Sequence, residues 1–421
     1  MSDLPLLIIV GYVWPEPNSS AAGYRMLSII RLFRDQHWRV IFASAAEQGM
    51  HRCALEELGV IEQRIELNDS SFDEWISQMA PQAVMFDRFM LEEQFGWRVE
   101  QACPQALRLL DMEDCHALRD ARQRCFNANE TLSAEALNSE LALREIAAIY
   151  RCDLTLVISE YEMSLLQQHY GVPASLLSYC PFLLAEEPKQ QLPTYAQRKH
   201  FIAIGNFRHA PNWHAVLWLK QQIWPLIRQQ LPDAELHVYG AYPPPKATAL
   251  HNDKQGFLIK GWAENAADVL QQARVCLAPL AFGAGLKGKL LDAMRTGTPT
   301  VTTDIGAEGM MLQELGWPGF IVNDASAQAE AAVTLYQQQD LWQHAQQTGF
   351  AIVQQKFAMA QHQPRIWQQF ESVMGNLTQH RQQNFTGLML RHHAYRSTKF
   401  MGQWIEAKTR LAALHSQTDA D

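Results

Sequence analysis

Between Gly283 and Asp292 the chain places glycines, two lysines and an acid in close succession: Gly283-Ala284-Gly285-Leu286-Lys287-Gly288-Lys289, then Asp292. The first six residues are a literal Gly-x-Gly-x-x-Gly. They follow a run that reads as a strand (Val275–Leu280) and open one that reads as a helix (Lys287–Thr296). Such a turn mimics a dinucleotide fingerprint, with Asp304 at the end of the next strand as the acidic partner. Three features weigh against an NAD enzyme. Three predicted strands precede the motif in its half of the chain, Lys287 and Lys289 suit a ligand whose diphosphate needs neutralising, and the N-terminal half has no substrate-domain signature. The bland alternative is a tight strand-to-helix turn with no ligand.

A second candidate is His116, which follows a predicted strand end and two acids, Asp111 and Asp114. Imidazole there could carry a proton or hydrogen-bond a substrate. Equally, it could be a loop histidine bonded to Asp114.

The elements that would position these groups read as alternating strands and helices. In the first half the strands are Leu6–Val10, Arg39–Ser44, Ala83–Asp87, Leu107–Asp111 and Leu154–Ser159. A Pro/Gly-rich loop, Gly11 to Gly23, leads into a helical pattern with Met26, Leu27, Ile30 and Phe33 on one side. Ser159 with Glu162 reads as a capping box. In the second half the strands are Phe201–Ile204, Glu235–Tyr239, Phe257–Lys260, Val275–Leu280 and Thr300–Thr303. Helices are expected at Trp213–Leu231, at about 326–347 and at about 355–374. This pattern predicts an α/β chain of two doubly wound parallel sheets facing a cleft. The expected domains are 1–185, a linker at 186–199, 200–350, a returning helix at 351–380 and a tail at 381–421.

The stretch Gly261–Met310, GWAENAADVLQQARVCLAPLAFGAGLKGKLLDAMRTGTPTVTTDIGAEGM, resembles the donor-binding segment of family-4 (group 1) glycosyltransferases with the GT-B fold. IGNFRHAPNWHAVLWL, from Ile204, resembles that family's opening glycine loop. Ala21-Ala22-Gly23-Tyr24-Arg25, the segment from Asp111 to Arg119, and the segment from Glu145 to Glu162 match further pieces, so the likeness spans about residues 5–375. The resemblance implies two Rossmann-like domains and retaining transfer from a nucleotide-diphosphate sugar, with no cofactor besides that donor. On it, Gly283 and Gly285 let backbone amides approach the diphosphate, and Lys287, Lys289 and Arg208, the last in the Gly205 loop, neutralise it. His116 approaches the donor sugar, and Asp292 stands where the family commonly has the Glu that holds the ribose. The family's other Glu would fall at Ala284. Ser20, Gly23, Arg25 and Asp114 are the expected acceptor-side residues. No Asp-x-Asp occurs outside Asp419-Ala420-Asp421, which disfavours a metal-dependent type. The rivals are a sugar epimerase, an NAD-dependent oxidoreductase and an inactive nucleotide-sugar-binding subunit.

The 421 residues carry 35 Lys+Arg against 44 Asp+Glu, a formal charge of −9, which argues against nucleic acid as a partner. Seven scattered cysteines fit neither a zinc site nor a disulfide framework and read as reduced thiols of a cytoplasmic protein. The tail differs from the rest. Residues 381–410 hold six basic side chains against Glu406 alone, a local +5 on a body of −14. With Phe400 and Trp404 interleaved, it reads either as a helix packed on the first domain or self-associating, the preferred reading, or as a basic amphipathic helix on anionic lipid beside a glycan, lipid-linked or protein acceptor.

Overall fold

A computed structural model describes residues 4–186 and 191–418. Residues 187–190 of the expected linker and Asp419-Ala420-Asp421 lie outside the described residues. The first sheet contains β1 (Leu6–Gly11), β2 (Arg39–Ser44), β3 (Ile61–Arg64), β4 (Ala83–Asp87), β5 (Leu107–Asp111), β6 (Leu154–Val157) and β7 (Leu177–Tyr179). The second contains β8 (Phe201–Ile204), β9 (Leu236–Tyr239), β10 (Phe257–Gly261), β11 (Val275–Ala278), β12 (Thr300–Thr302) and β13 (Gly319–Ile321). All neighbouring strands pair in parallel, in the orders β3-β2-β1-β4-β5-β6-β7 and β10-β9-β8-β11-β12-β13. Continuous apolar strands such as Leu6–Val10 are buried along their whole length, as helices on both faces of a parallel sheet require.

Strand order reverses between β1 and β4 and between β8 and β11. Ligands of open α/β sheets bind beyond the carboxyl ends of strands at such switch points. In this chain those ends carry the Gly11–Gly23 loop, Asp87 and the Gly205 loop, together with the glycine-lysine turn after β11.

Several elements differ from the sequence expectation, each for a local reason. The strands β3, β7 and β13 are short; β3 (IEQR) is a half-exposed edge strand without an apolar signature. The long helix at 326–347 is two helices, Ala325–Gln337 and Gln339–Lys356, because Gln338 is extended (φ −97°, ψ 99°). The break lets Trp342 turn under the second sheet, where its Nε1 donates to the Arg274 carbonyl (2.6 Å). The expected boundary at 350 therefore falls inside Gln339–Lys356. The chain crosses to the first domain at Phe357, and Ile366, Phe370 and Val373 of Met359–Gly375 bury against its core.

The tail forms one helix, Phe385–Thr418, lying on helices Phe89–Ala102 and Glu140–Arg151 of the first domain. Its approach is set by Arg381, which grips the buried carboxylate of Asp153 (2.8 and 2.7 Å) and the carbonyls of Pro104 and Ala106. Asp153 also accepts the Arg108 N–H (2.8 Å). Burial opposes its charge, but Arg381 and Arg108 hold its pKa below the usual carboxylate range. The outer side of the helix exposes apolar Phe385, Met389, Phe400, Trp404 and Leu411 among polar and basic residues such as His393, Gln403 and Lys408.

Candidate active site in the interdomain cleft

One cleft of about 2470 Å³ separates the two sheets. On the second domain its floor is the turn after β11. Gly283 (φ +146°) and Gly285 (φ +65°) adopt backbone angles that an L side chain rarely tolerates, and a Cβ on Gly285 would lie 2.7 Å from that of Asp114 in the other domain. The turn delivers the chain into helix Gly288–Arg295, whose N-terminus no side chain caps. The Lys287 and Leu290 amides are bonded, to Met310 Sδ and the Lys287 carbonyl, and Gly288 and Lys289 of the first turn line the cleft, which puts the positive end of the helix dipole there.

Lys287 and Lys289 sit at this end. The Lys287 ammonium donates to the Gly285 and Ala284 carbonyls (2.6 and 3.1 Å), and that of Lys289 to Asn212 Oδ1 (2.5 Å). Burial lowers both pKa values to about 8: Glu308 opposes the effect at Lys287, while Lys287 itself adds to it at Lys289. A Cβ on Gly205 would lie 2.7 Å from Lys289 Nζ, so the loop after β8 closes on the same spot. Two cations with lowered pKa values beside an uncapped helix end form a site that a dianion would stabilise.

The first domain supplies His116 across the cleft. Helix His116–Ala128 begins there, and the fully buried carboxylate of Glu145, from another helix, accepts the N–H groups of His116 (3.0 Å) and Ala117 (2.8 Å). All close partners of His116 Nδ1 are acceptors: the Asp114 carbonyl (3.0 Å), Glu145 Oε1 (3.4 Å) and Asp114 Oδ1 (3.5 Å). Nδ1 therefore carries a proton. Burial works against a second one, but the Glu145 and Asp114 carboxylates outweigh it and raise the pKa. Asp114 is paired in both oxygens with Arg119, and its pKa is pushed down to about 2: burial resists, Arg119 and His116 prevail. Glu113, Asp114 and His116 place ligand-type atoms within 4.8 Å of one another, but these bonds engage Asp114 and Nδ1 in an ion-pair network.

The cleft mouth is bridged by aromatic rings. Tyr242 donates its hydroxyl to Glu16 (2.9 and 3.0 Å to the two oxygens), and Trp262 Nε1 donates to the Asn18 carbonyl (3.2 Å). His51 stacks on Trp262 with centroids 4.2 Å apart. Arg208 lies 3.7 Å over the Tyr242 ring, at the cleft wall.

The structure thus gathers His116, Asp114, Gly205, Arg208, Gly283, Gly285, Lys287, Lys289 and Asp292 around one cleft. Ser20 and Gly23 line it too, Ser20 as the N-cap of helix Ala21–Asp35, accepting the Gly23 N–H (3.1 Å). Arg25 borders the cleft as well but is only 1% exposed: it pairs with Asp111 (3.0 and 2.8 Å) and donates to the Cys180 carbonyl, which ties helix Ala21–Asp35 to β5. Asp292 faces Arg295 (3.5 Å); the bond of Lys289 goes to Asn212. The N–H of Gly285 donates to Glu162 Oε1 (2.8 Å), so in this structure that amide is engaged within the protein. Glu162 is itself unlike a capping-box acid. Ser159 accepts its N–H (3.1 Å), but its carboxylate reaches the other domain. Reasoning from sequence also passed over Arg122, Glu308, Asn212 and the part Glu145 plays at His116. Glu308, Asn212 and Glu145 lie inside segments that carried the resemblance, which was the available signal.

Residues 198–338 match the family model described as "Glycosyl transferases group 1". A protein of Klebsiella pneumoniae described as an uncharacterized 44.6 kDa protein in cps region is 26% identical over 113 residues, 25% of this chain and 29% of that protein. Among solved structures, HepE from Anabaena with UDP-glucose superposes with a TM-score of 0.65 at 13% identity, covering 87% of this chain and 99% of that one. A TarM variant from S. aureus, in complex with fondaparinux, alpha-GlcNAc-glycerol and UDP, gives 0.53 at 11% identity, covering 72% of this chain and 58% of that one. The chain thus spans less than two thirds of the length of both the Klebsiella relative and this TarM structure. Two parallel-sheet domains, the cleft between them and these matches lead to one conclusion: the chain has the GT-B fold, and residues 198–338 of its second domain are similar to the group 1 glycosyltransferases.

Proposed function

We propose that the protein moves a sugar from a nucleotide-diphosphate donor to an acceptor, with retention of configuration and without a metal ion. The observation that carries this is the pair Lys287 and Lys289 at an uncapped helix N-terminus, facing His116 across one cleft. As the glycosidic bond breaks, negative charge grows on the β-phosphate. Fixed cations and a helix dipole stabilise it there more than in the ground state, which is what lowers a barrier. In this reading His116 hydrogen-bonds the donor sugar, Asp292 takes the ribose hydroxyls, and the acceptor enters past Ser20 and Gly23. The Klebsiella relative's cps region and the UDP and UDP-glucose complexes of the structural relatives support a role in bacterial polysaccharide or glycoconjugate assembly, and a cytoplasmic location is part of the same proposal.

A thermal-shift screen of nucleoside diphosphates on the purified protein, followed by donor hydrolysis and transfer assays, tests the reading. UDP is the first probe, since it accompanies the structural relatives. Stabilisation followed by release of the nucleoside diphosphate is expected. No stabilisation by any nucleoside diphosphate overturns the reading, whereas binding without turnover identifies a nucleotide-sugar-binding subunit. Spectroscopic detection of nicotinamide would identify an oxidoreductase instead.

The outer face of helix Phe385–Thr418 fits an anionic membrane surface holding a lipid-linked acceptor. Its exposed Phe400 and Trp404 are accompanied by Lys408, 5.2 Å from the Trp404 ring, whereas Arg381 and Arg391 of the basic segment are turned to the first domain. Among the described residues no helix is long and apolar enough to cross a membrane. Co-sedimentation with phosphatidylglycerol vesicles is expected for the full chain, and its loss in a Phe400→Ser/Trp404→Ser variant. Equal sedimentation of the two would exclude this face as the anchor.

A further inference from the structure

Two side chains of the first domain hold the glycine turn of the second from behind. Arg122, on helix His116–Ala128, donates to the Gly283 carbonyl (2.8 Å) and pairs with both oxygens of Glu308 (2.8 and 2.6 Å). Glu162, on helix Glu160–Gln168, accepts the Gly285 N–H at Oε1 (2.8 Å), the oxygen that also accepts the Cys115 N–H (3.0 Å). The turn is therefore gripped at both ends, its carbonyl by a guanidinium and its amide by a carboxyl oxygen whose pKa burial raises to about 7. Neither Arg122 nor Glu162 lines the cleft. They cannot meet a ligand there, but the backbone they hold sets where Lys287 and the helix N-terminus stand.

These bonds span the two domains, so they exist only while the domains are together. Tyr161 lies against Arg122, 5.1 Å from its guanidinium, and a Cβ on Gly309 would lie 3.2 Å from that of Ser159, so the Glu308 turn abuts the same helix. The contact is not uniformly favourable. Glu162 is wholly buried, and its Oε2 finds no partner among the described residues. A buried unsatisfied carboxylate oxygen costs free energy that separation of the domains, by admitting water, would return. The grip is thus poised between a well-paired side at Arg122 and a poorly paired one at Glu162.

We infer that Arg122 and Glu162 are interdomain positioning residues that shape the anion-binding turn when the domains close, so that donor affinity is coupled to closure. This rests on reading the turn as the donor site. Binding of the donor then favours the closed arrangement by as much as closure favours binding. The two residues lie on the acceptor-side domain and act on donor affinity through the turn, without either of them touching the donor.

The test combines UDP titration calorimetry with amide hydrogen exchange over residues 283–288 of the full chain. Arg122→Ala and Glu162→Ala are each expected to weaken UDP binding about tenfold, the scale of one lost charge-assisted hydrogen bond. Both should speed exchange in the turn. Glu162→Gln keeps an acceptor oxygen for both N–H groups and is expected to bind UDP within about twofold of the unaltered chain and to retain slow exchange, which a merely bulky filler such as Glu162→Leu should not. Should Arg122→Ala fail to fold, Arg122→Lys serves in its place; it keeps the charge but loses the fork that spans Gly283 and Glu308. UDP affinity unchanged in the alanine variants overturns the coupling while leaving the donor site intact. If the unaltered chain binds no nucleoside diphosphate, the donor reading fails. The exchange arm then decides the grip alone, and unchanged protection of Gly285 in Glu162→Ala overturns it.

Discussion

Lys289→Ala is expected to lower kcat/KM for the donor by about 10²–10³, the usual effect of removing one fixed donor from a developing oxyanion. The lysine is half-buried on the cleft floor, and its partner is the neutral Asn212, so its removal strands no opposite charge. Thermal stability should therefore hold while affinity and turnover fall. Lys287→Ala should differ in kind. That ammonium also ties the Gly285 and Ala284 carbonyls, so its loss loosens the turn and lowers the unfolding temperature as well. Steady-state kinetics beside thermal melts separate the two. Unaltered UDP binding in both variants would show that the donor site has been misplaced.

The pH dependence follows with a definite sign. Both lysines have pKa values of about 8 without an anion, and a bound diphosphate raises them. Binding therefore takes up protons above pH 8. Donor affinity should be full at pH 7 and fall between pH 8 and pH 10, by up to about tenfold per unit for each lysine. Over that range the charge of the diphosphate is constant. Lys289→Arg should flatten the fall, since a guanidinium stays protonated throughout.

His116→Ala is expected to cut kcat by about 10²-fold, within the range for a positioned proton-carrying group, with donor KM little changed. Nδ1 is occupied by the Asp114 carbonyl and faces Glu145, which leaves Nε2 for the cleft. Because its neighbours raise the imidazole pKa, the ring stays a donor to a higher pH than an ordinary histidine. The variant should thus lose the limb of the pH–rate profile that this titration creates. An unaltered kcat with the limb intact would place His116 in the scaffold alone.

What could be read in the sequence was whatever is continuous along it. The Gly283–Lys289 turn, the strand before it and the helix after it are consecutive, and glycine and lysine identities alone limit what such a turn can bind. Burial along Leu6–Val10 and the alternation of strands and helices likewise rest on local pattern, which sufficed for two parallel sheets. Short edge strands such as β3 and β13 escaped because three or four half-exposed residues carry no period. Glu162 shows where local reasoning stops. Its spacing from Ser159 is that of a capping box, and half of that box is present. Yet its carboxylate goes to Gly285, 123 positions away, because a buried N–H of the other domain is the partner at hand.

Arg25 and Arg122 make the same point from opposite sides. Each is an arginine on a helix near the cleft, but one is spent on Asp111 inside its own domain and the other reaches Gly283 and Glu308 across the gap. The sequence by itself determined that this chain holds two α/β halves, with Lys287 and Lys289 in one glycine turn on a net negative body. Only the tertiary structure decided which amides and carboxylates spend their bonding capacity on each other and which are left for a ligand. A hydrogen bond is settled by distance in space, and no spacing along the chain encodes the meeting of two domains.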